Sequence, residues 1–244
     1  MANSKDNIVT SRSNNTSPKP DYLGHRERLR KKLLECGDNI DIVFADYELL
    51  ELLLTIAIPR RDVKPLAKDL IKRFGSFAGV INASPTELFS ISGIGETTVA
   101  TIKIVRAAIN NTLKHTVKES SIISNWKELV NYCQANIGCK QTEEFHVLYL
   151  NTKCQLIKDE THSSGTIDSS SVYPREILKH VLELGASSII VVHNHPTGDT
   201  SPSNADINIT KKIRDALGTI DVPLHDHIIV GKGNVFSFKS FGIL

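Results

Sequence analysis

The chain has 244 residues, 40% of them hydrophobic and 23% charged. That is a globular mixture, which excludes collagen-like, fibrous and wholly disordered classes, and the length suits two domains of ordinary size. Lysine plus arginine (29) against aspartate plus glutamate (27) leaves a formal charge of +2, too small to mark the whole chain as a polyanion binder.

Residues 1–20 are rich in Asn, Ser, Thr, Lys and Pro and read as a disordered tail. They lack the apolar core of a signal peptide, and no apolar run approaches the ~18 residues of a membrane span, so a cytoplasmic protein with no membrane partner is expected. HRERLRKKLLECG begins a helical pattern at His25 and stops at Gly37. DYELLELLLTIAIPRRD follows, with Asp46 as N-cap and Pro59 as stop. VKPLAKDLIKRFG ends on Gly75, ASPTELFSI is a short helical turn, and ETTVATIKIVRAAINNTLKH is a long helix. Residues 21–118 therefore read as an all-α domain, with a linker over 116–124.

From residue 122 to 244 the pattern becomes α/β. A helix begins near Asn125. FHVLYLN and CQLIKDETH form a hairpin, and YPREILKHVLELG is helical with Pro174 in its first turn. ASSIIVVHNH is a buried strand, SNADINITKKIRDALG a helix, and VPLHDHIIVG and NVFSFKS the closing strands. The two halves differ in charge. Residues 1–120 carry 18 basic and 14 acidic side chains, net +4, and residues 121–244 carry 11 and 13, net −2. Seven of the 9 histidines lie in the second half, as expected of a metal-binding domain. The 4 cysteines are scattered and read as free thiols.

The informative stretch is VVHNHPTGDTSPSNAD. His193 and His195 share one strand face, and Pro196 ends the strand. Ser203 follows after seven residues, and Asp206 stands at the start of the next helix. Two imidazoles and a carboxylate make a three-ligand set that leaves a fourth position for water, the arrangement of catalytic zinc. Ser203 and Asp206 also have the spacing of a helix-capping pair, and Ser203 can serve both ends. His193-Asn194-His195 spells the name of a nuclease class, but the longer hairpin-and-helix motif of those enzymes is absent.

This spacing resembles the JAMM (MPN) metalloprotease pattern. HNHPTGDTSPSNAD, PREILKHVLELGASSIIVVHNHP and LHDHIIVG together resemble the RadC family more narrowly, over residues 22–244, with Thr197 where that family usually has Ser. The resemblance implies a JAMM/MPN-like, cytidine-deaminase-like α/β domain, preceded by an all-α helix-hairpin-helix domain. It implies zinc held by His193, His195 and Asp206. It also implies a glutamate base on an earlier strand, which picks Glu143, with Glu144 as the alternative if the register differs by one. Ser203 would then stabilise an oxyanion during amide hydrolysis of a peptide or protein substrate. His225, Asp226 and His227 are either partners that orient a ligand or ordinary strand-end polar residues. His146, His162 and His180 read as surface histidines.

In the first half, SISGIGETTVATIKIVRAA places Gly93-Ile94-Gly95 between two helical segments and resembles a helix-hairpin-helix. Backbone N–H groups at such a turn face a phosphate irrespective of base sequence, and Lys103 and Arg106 would add charge. The plain alternative is a packing turn that uses glycine for geometry. The expected protein is thus a zinc metallohydrolase of peptidase or isopeptidase type acting with DNA. The rivals are a non-catalytic DNA-binding accessory protein with a structural metal, and a metallonuclease.

Overall fold

A computed structural model of the chain describes residues 21–119, 121, 122, 124–165 and 172–244. The expected tail, 1–20, lies outside them. Contacts gather the chain into two compact units, one ending at Phe77 and the other covering Ala78–Leu244.

The first unit is helical: α1 Asp21–Glu35, α2 Ile40–Val43, α3 Asp46–Ala57 and α4 Lys64–Phe74. The first helix starts four residues before the expected His25 and ends short of Gly37, whose φ of +56° suits a chain reversal. Asp46 is not the N-cap of α3. Ala45 holds that position, Glu48 accepts its N–H, and the Asp46 carboxylate accepts the N–H of Phe77 at 2.7 Å. The buried Arg26 guanidinium donates to the carbonyls of Ile58, Pro59 and Arg61, satisfying groups left open where Pro59 ends α3.

After α5 (Phe77–Asn82) the chain forms α6, Pro85–Phe89, and α7, Glu96–Glu119. The α6 helix is closed by a capping box: Ser84 Oγ accepts from the Glu87 N–H, and the Glu87 carboxylate accepts from Ser84. The α7 helix runs through the first part of the expected linker because Leu113 and Val117 face a core. Val117 is buried beside Leu129, Leu148, Leu150 and Val192.

The α/β part contains α8 (Trp126–Cys133), a π-helical turn (Gln134–Gly138), β1 (Glu144–Leu150), β2 (Leu156–Ser164), α9 (Pro174–Leu184), β3 (Ser188–Asn194), α10 (Asn204–Gly218), β4 (Leu224–Val230) and β5 (Val235–Ser237). The single helix expected over 125–138 therefore widens in its last turn. There Gly138 lies so close to β4 that a Cβ would meet Val230 Cγ1 at 3.0 Å. The five strands form one mixed sheet in the order β2-β1-β3-β4-β5. Only β3 and β4 are parallel, which is what a crossover through α10 requires. Both sheet faces are buried. Phe145, Val147, Tyr149 and Val191 pack with α9 and α10, while Leu148, Leu150, Ile190 and Val192 pack under α7, α8 and the π turn. The β3 strand is buried along its whole length and delivers its C-terminal end to the start of α10. Among the described residues no helix is long and apolar enough to cross a membrane.

Candidate functional site

The C-terminal end of β3, the chain just after it and the first turn of α10 meet at one point. His193 Nε2 and His195 Nε2 are 3.0 Å apart. Asp206 Oδ1 lies 3.2 Å from His193 Nε2, and Oδ2 lies 3.7 Å from His195 Nε2. Glu143 Oε1 is 3.8 Å from His195 Nε2, just outside that trio. Ser203 is the N-cap of α10 in a full capping box. Its Oγ donates to Asp206 Oδ2 at 2.7 Å and accepts the Asp206 N–H at 3.2 Å. The capping reading of the Ser203–Asp206 spacing is seen, and the cap turns the Asp206 carboxylate toward the histidines.

The hydrogen bonds dictate where the imidazole protons sit. Thr210 Oγ1 gives its single hydrogen to the Asp206 carbonyl at 2.5 Å, so it can only accept from His227 Nδ1 at 2.6 Å. Neutral His227 is then left with a bare Nε2, which accepts from His193 Nδ1 at 2.7 Å. His195 Nδ1 donates to the carbonyl of Asp199 at 2.6 Å. With their Nδ1 atoms so engaged, His193 and His195 both turn Nε2 toward the Asp206 carboxylate. These three groups face one another at 3.0–3.7 Å, a spacing that protons or a metal cation between them can satisfy. Tetrahedral zinc, with bonds near 2.0–2.1 Å, separates its donors by about 3.3 Å. The donor set and its spacing fit such an ion.

Asp206 is partly buried, which alone would raise its pKa. Hydrogen bonds from His193, His195 and Ser203 outweigh burial and hold the carboxyl far below its usual range. His195 is raised, first by its bond to Asp206 and against its own burial. His227 is fully buried and pushed well below the ordinary histidine value by desolvation and then by the charge at His193. It remains the neutral relay that the hydrogen bonds require.

Several residues that build this centre are absent from the ligand pattern. His227 and Thr210 orient His193. The period-two alternation of LHDHIIV, which sends His227 to the face opposite Asp226, was the signal for one of them. Asp226 binds Ser237 Oγ at 2.6 Å and the Lys239 N–H at 3.0 Å, so it supports β5 and the turn after it. Asn194 points away from the histidines. Its Oδ1 accepts the Glu144 N–H at 2.8 Å, and its Nδ2 donates to the Thr142 carbonyl at 3.1 Å, pinning the segment that carries Glu143. Phe145 stacks on His193 at 6.1 Å and meets His227 edge-on at 5.9 Å.

The two neighbouring glutamates have separate surroundings. Glu144 binds Lys140 and His146 Nε2, the latter at 2.9 Å. The expectation of a surface residue fails for His146, whereas His162 and His180 are half-buried. His146 is 5% exposed, and its Nδ1 faces Asp159 at 2.8 Å, so carboxylates on both nitrogens make it an imidazolium. Tyr149 draws His162 into a half-buried cluster with Glu160 and His180. These charges stabilise β1 and β2 in pairs that no periodicity announces.

Gly93 and Gly95 lie far from this chemistry in the chain. Gly93 has φ +90°, a conformation that strains any other residue, and Ile94 is buried at 8% exposure. Gly95 opens α7, accepts the Val99 N–H at 3.1 Å, and has nothing within 4 Å of where a Cβ would stand. Lys103 is exposed, whereas Arg106 donates to the Asn82 carbonyl at 3.2 Å and so buttresses α5.

Among protein-family models, the one described as a RadC-like JAB domain matches residues 123–243.

Proposed function

Residues 123–243 belong to the RadC-like JAB family, and from that premise we propose that their histidine–aspartate centre is a zinc hydrolase site of peptidase or isopeptidase type. The observation that carries this reading is the convergence of two imidazole Nε2 atoms and a carboxylate, with Glu143 at 3.8 Å. His193, His195 and Asp206 would hold the ion. When bound, zinc polarises an amide carbonyl and brings the pKa of water toward ~7.

The chain's own groups perform the proton movements. A Glu143 carboxylate oxygen takes a proton from the attacking water as the C–O bond forms. It returns that proton to the amide nitrogen as the C–N bond breaks, so the products are a carboxylic acid and an amine. Ser203 Oγ–H supplies the oxyanion donor once it turns from Asp206, to which it is bonded in the resting arrangement. Asn194 holds the Glu143 segment, and His227 holds the His193 ring.

The helical hairpin supports a second activity in the same molecule, contact with a nucleic-acid backbone. What favours it is the open space about the Cα of Gly95 at the start of α7, with the exposed Lys103 on the same helix. A peptide or protein substrate and a DNA partner are therefore the two ligand classes of this reading.

The deciding experiment incubates the zinc-loaded full chain with a peptide library, lysine-linked isopeptides and duplex DNA. Peptide or isopeptide cleavage that disappears in Glu143→Gln, with zinc retained, is the expected result. No peptide or isopeptide cleavage from fully loaded wild type would overturn the hydrolase reading in favour of a non-catalytic accessory domain. Cleavage of DNA alone would make it a nuclease.

A further inference from the structure

A second convergence of metal-binding side chains lies away from the centre just described, where β2 faces α9. Glu160 and His162 lie two apart on β2, His162 at the bulge opposite the Phe145–His146 step, and His180 comes from the middle of α9. One donor atom from each lies within 4.8 Å of the others. His180 Nδ1 stands 2.5 Å from Glu160 Oε2, and His162 Nε2 stands 3.8 Å from the same oxygen. Lys158 binds the other oxygen, Oε1, at 3.0 Å, which aims Oε2 at the two imidazoles. The ring centroids of His162 and His180 are 5.5 Å apart, and Tyr149 flanks both at 6.3 Å.

We infer that Glu160, His162 and His180 form a second site for a first-row divalent cation of the zinc, nickel or copper kind. Two imidazole nitrogens and a single carboxylate oxygen suit such borderline ions and disfavour calcium and magnesium, which need oxygen-rich shells. The Tyr149 hydroxyl lies 2.8 Å from His162 Nε2, so the ion takes the place of that hydrogen bond. Opening the His180–Glu160 contact from 2.5 Å to the ~3.3 Å of two donors on one tetrahedral ion needs only a small turn of the His180 side chain. Side-chain exposures of 23% for Glu160 and 25% for His180 give an ion access from solvent. The consequence is a clip between a strand and a helix, with room left for a ligand from outside.

The test counts metal in the full chain after chelation, reloading with micromolar zinc and dialysis. Wild type should retain about two ions per chain, His180→Ala about one, and His162→Ala about one. His195→Ala should also fall to about one, and His195→Ala/His180→Ala to none, so the two sites lose metal independently. His180 sits on a half-exposed helix face, and an unchanged circular-dichroism spectrum certifies its variant. Cobalt(II) loading adds a signature that structural damage does not mimic: the visible d–d band should lose one component in His180→Ala. A wild type that holds the same metal as both His162→Ala and His180→Ala would overturn the second site, whatever becomes of the first.

Discussion

At the scale of single residues, adjacent side chains divide the labour. Glu143→Gln should keep its zinc and lose at least about 100-fold in hydrolysis, the usual loss of a general base, by elemental analysis and turnover. Glu144→Gln should instead lower the melting temperature, because it strips a partner from His146 and Lys140. Asn194→Ala should reduce kcat while zinc content stays level, since Asn194 binds the Glu143 segment and no ligand. His227→Ala should weaken zinc about 10–100-fold, measured by competition with a chelating dye, by releasing His193 Nδ1. The convergence of His193, His195 and Asp206 was legible in the sequence because His-x-His and the capping pair each carry a local geometric meaning. Thr210 was not, because a threonine inside a helix has no signature until its hydroxyl meets a ring from another strand.

Elements hold the centre through close approaches and charge. Gly231, just after β4, lies under the loop that follows His195. A Cβ there would stand 2.6 Å from the Gly198 carbonyl oxygen and 2.8 Å from Thr200 Cγ2. The contact is partly with backbone, so Gly231→Ala must shift the loop whose Asp199 carbonyl orients His195. Calorimetry should show weaker zinc binding without global unfolding. On the other sheet face, His146 joins β1 to β2 through Asp159, which also binds Tyr132 of α8 and Asn136 of the π turn. Burial lowers the His146 pKa, but bonds to Asp159 and Glu144 outweigh it, so the net shift is upward. Its stabilisation is therefore complete below 6.5, the ordinary value, and fades as pH rises through the raised one. Asp159 and Glu144 are shifted downward despite burial, so their share is present above 3.8 and 4.5 and fades at lower pH. The stability gap between wild type and His146→Gln, by denaturant titration, should be widest near pH 5–6, at about 3 kcal/mol, and narrow above neutrality. Strand and helix order could be read from hydrophobic period. The π turn could not, since what widens it is the approach of Gly138 to Val230.

For the whole molecule, the +4 of residues 1–120 and the open space at the Gly95 Cα lead to a DNA test on the full chain. Weak, sequence-independent binding should fall steeply with salt as counterions leave. Gly95→Ala should weaken it several-fold at unchanged melting temperature, because a methyl there meets nothing in the fold and obstructs only a visitor. Gly93→Ala should cost about 1 kcal/mol of stability, since its φ is +90°. Binding that is salt-insensitive, or indifferent to Gly95→Ala, would make the hairpin a packing turn. The reading of 21–118 as one helical domain followed hydrophobic period, which marks helices but does not say which core they enter. The α7 helix sends Leu113 and Val117 against the sheet's inner layer. Truncation then has a natural cut and an unnatural one. A chain shortened to begin at Asn125 would strip that cover from Leu148 and Leu150 and should collect in inclusion bodies, whereas one beginning at Ala78 should express as soluble monodisperse protein.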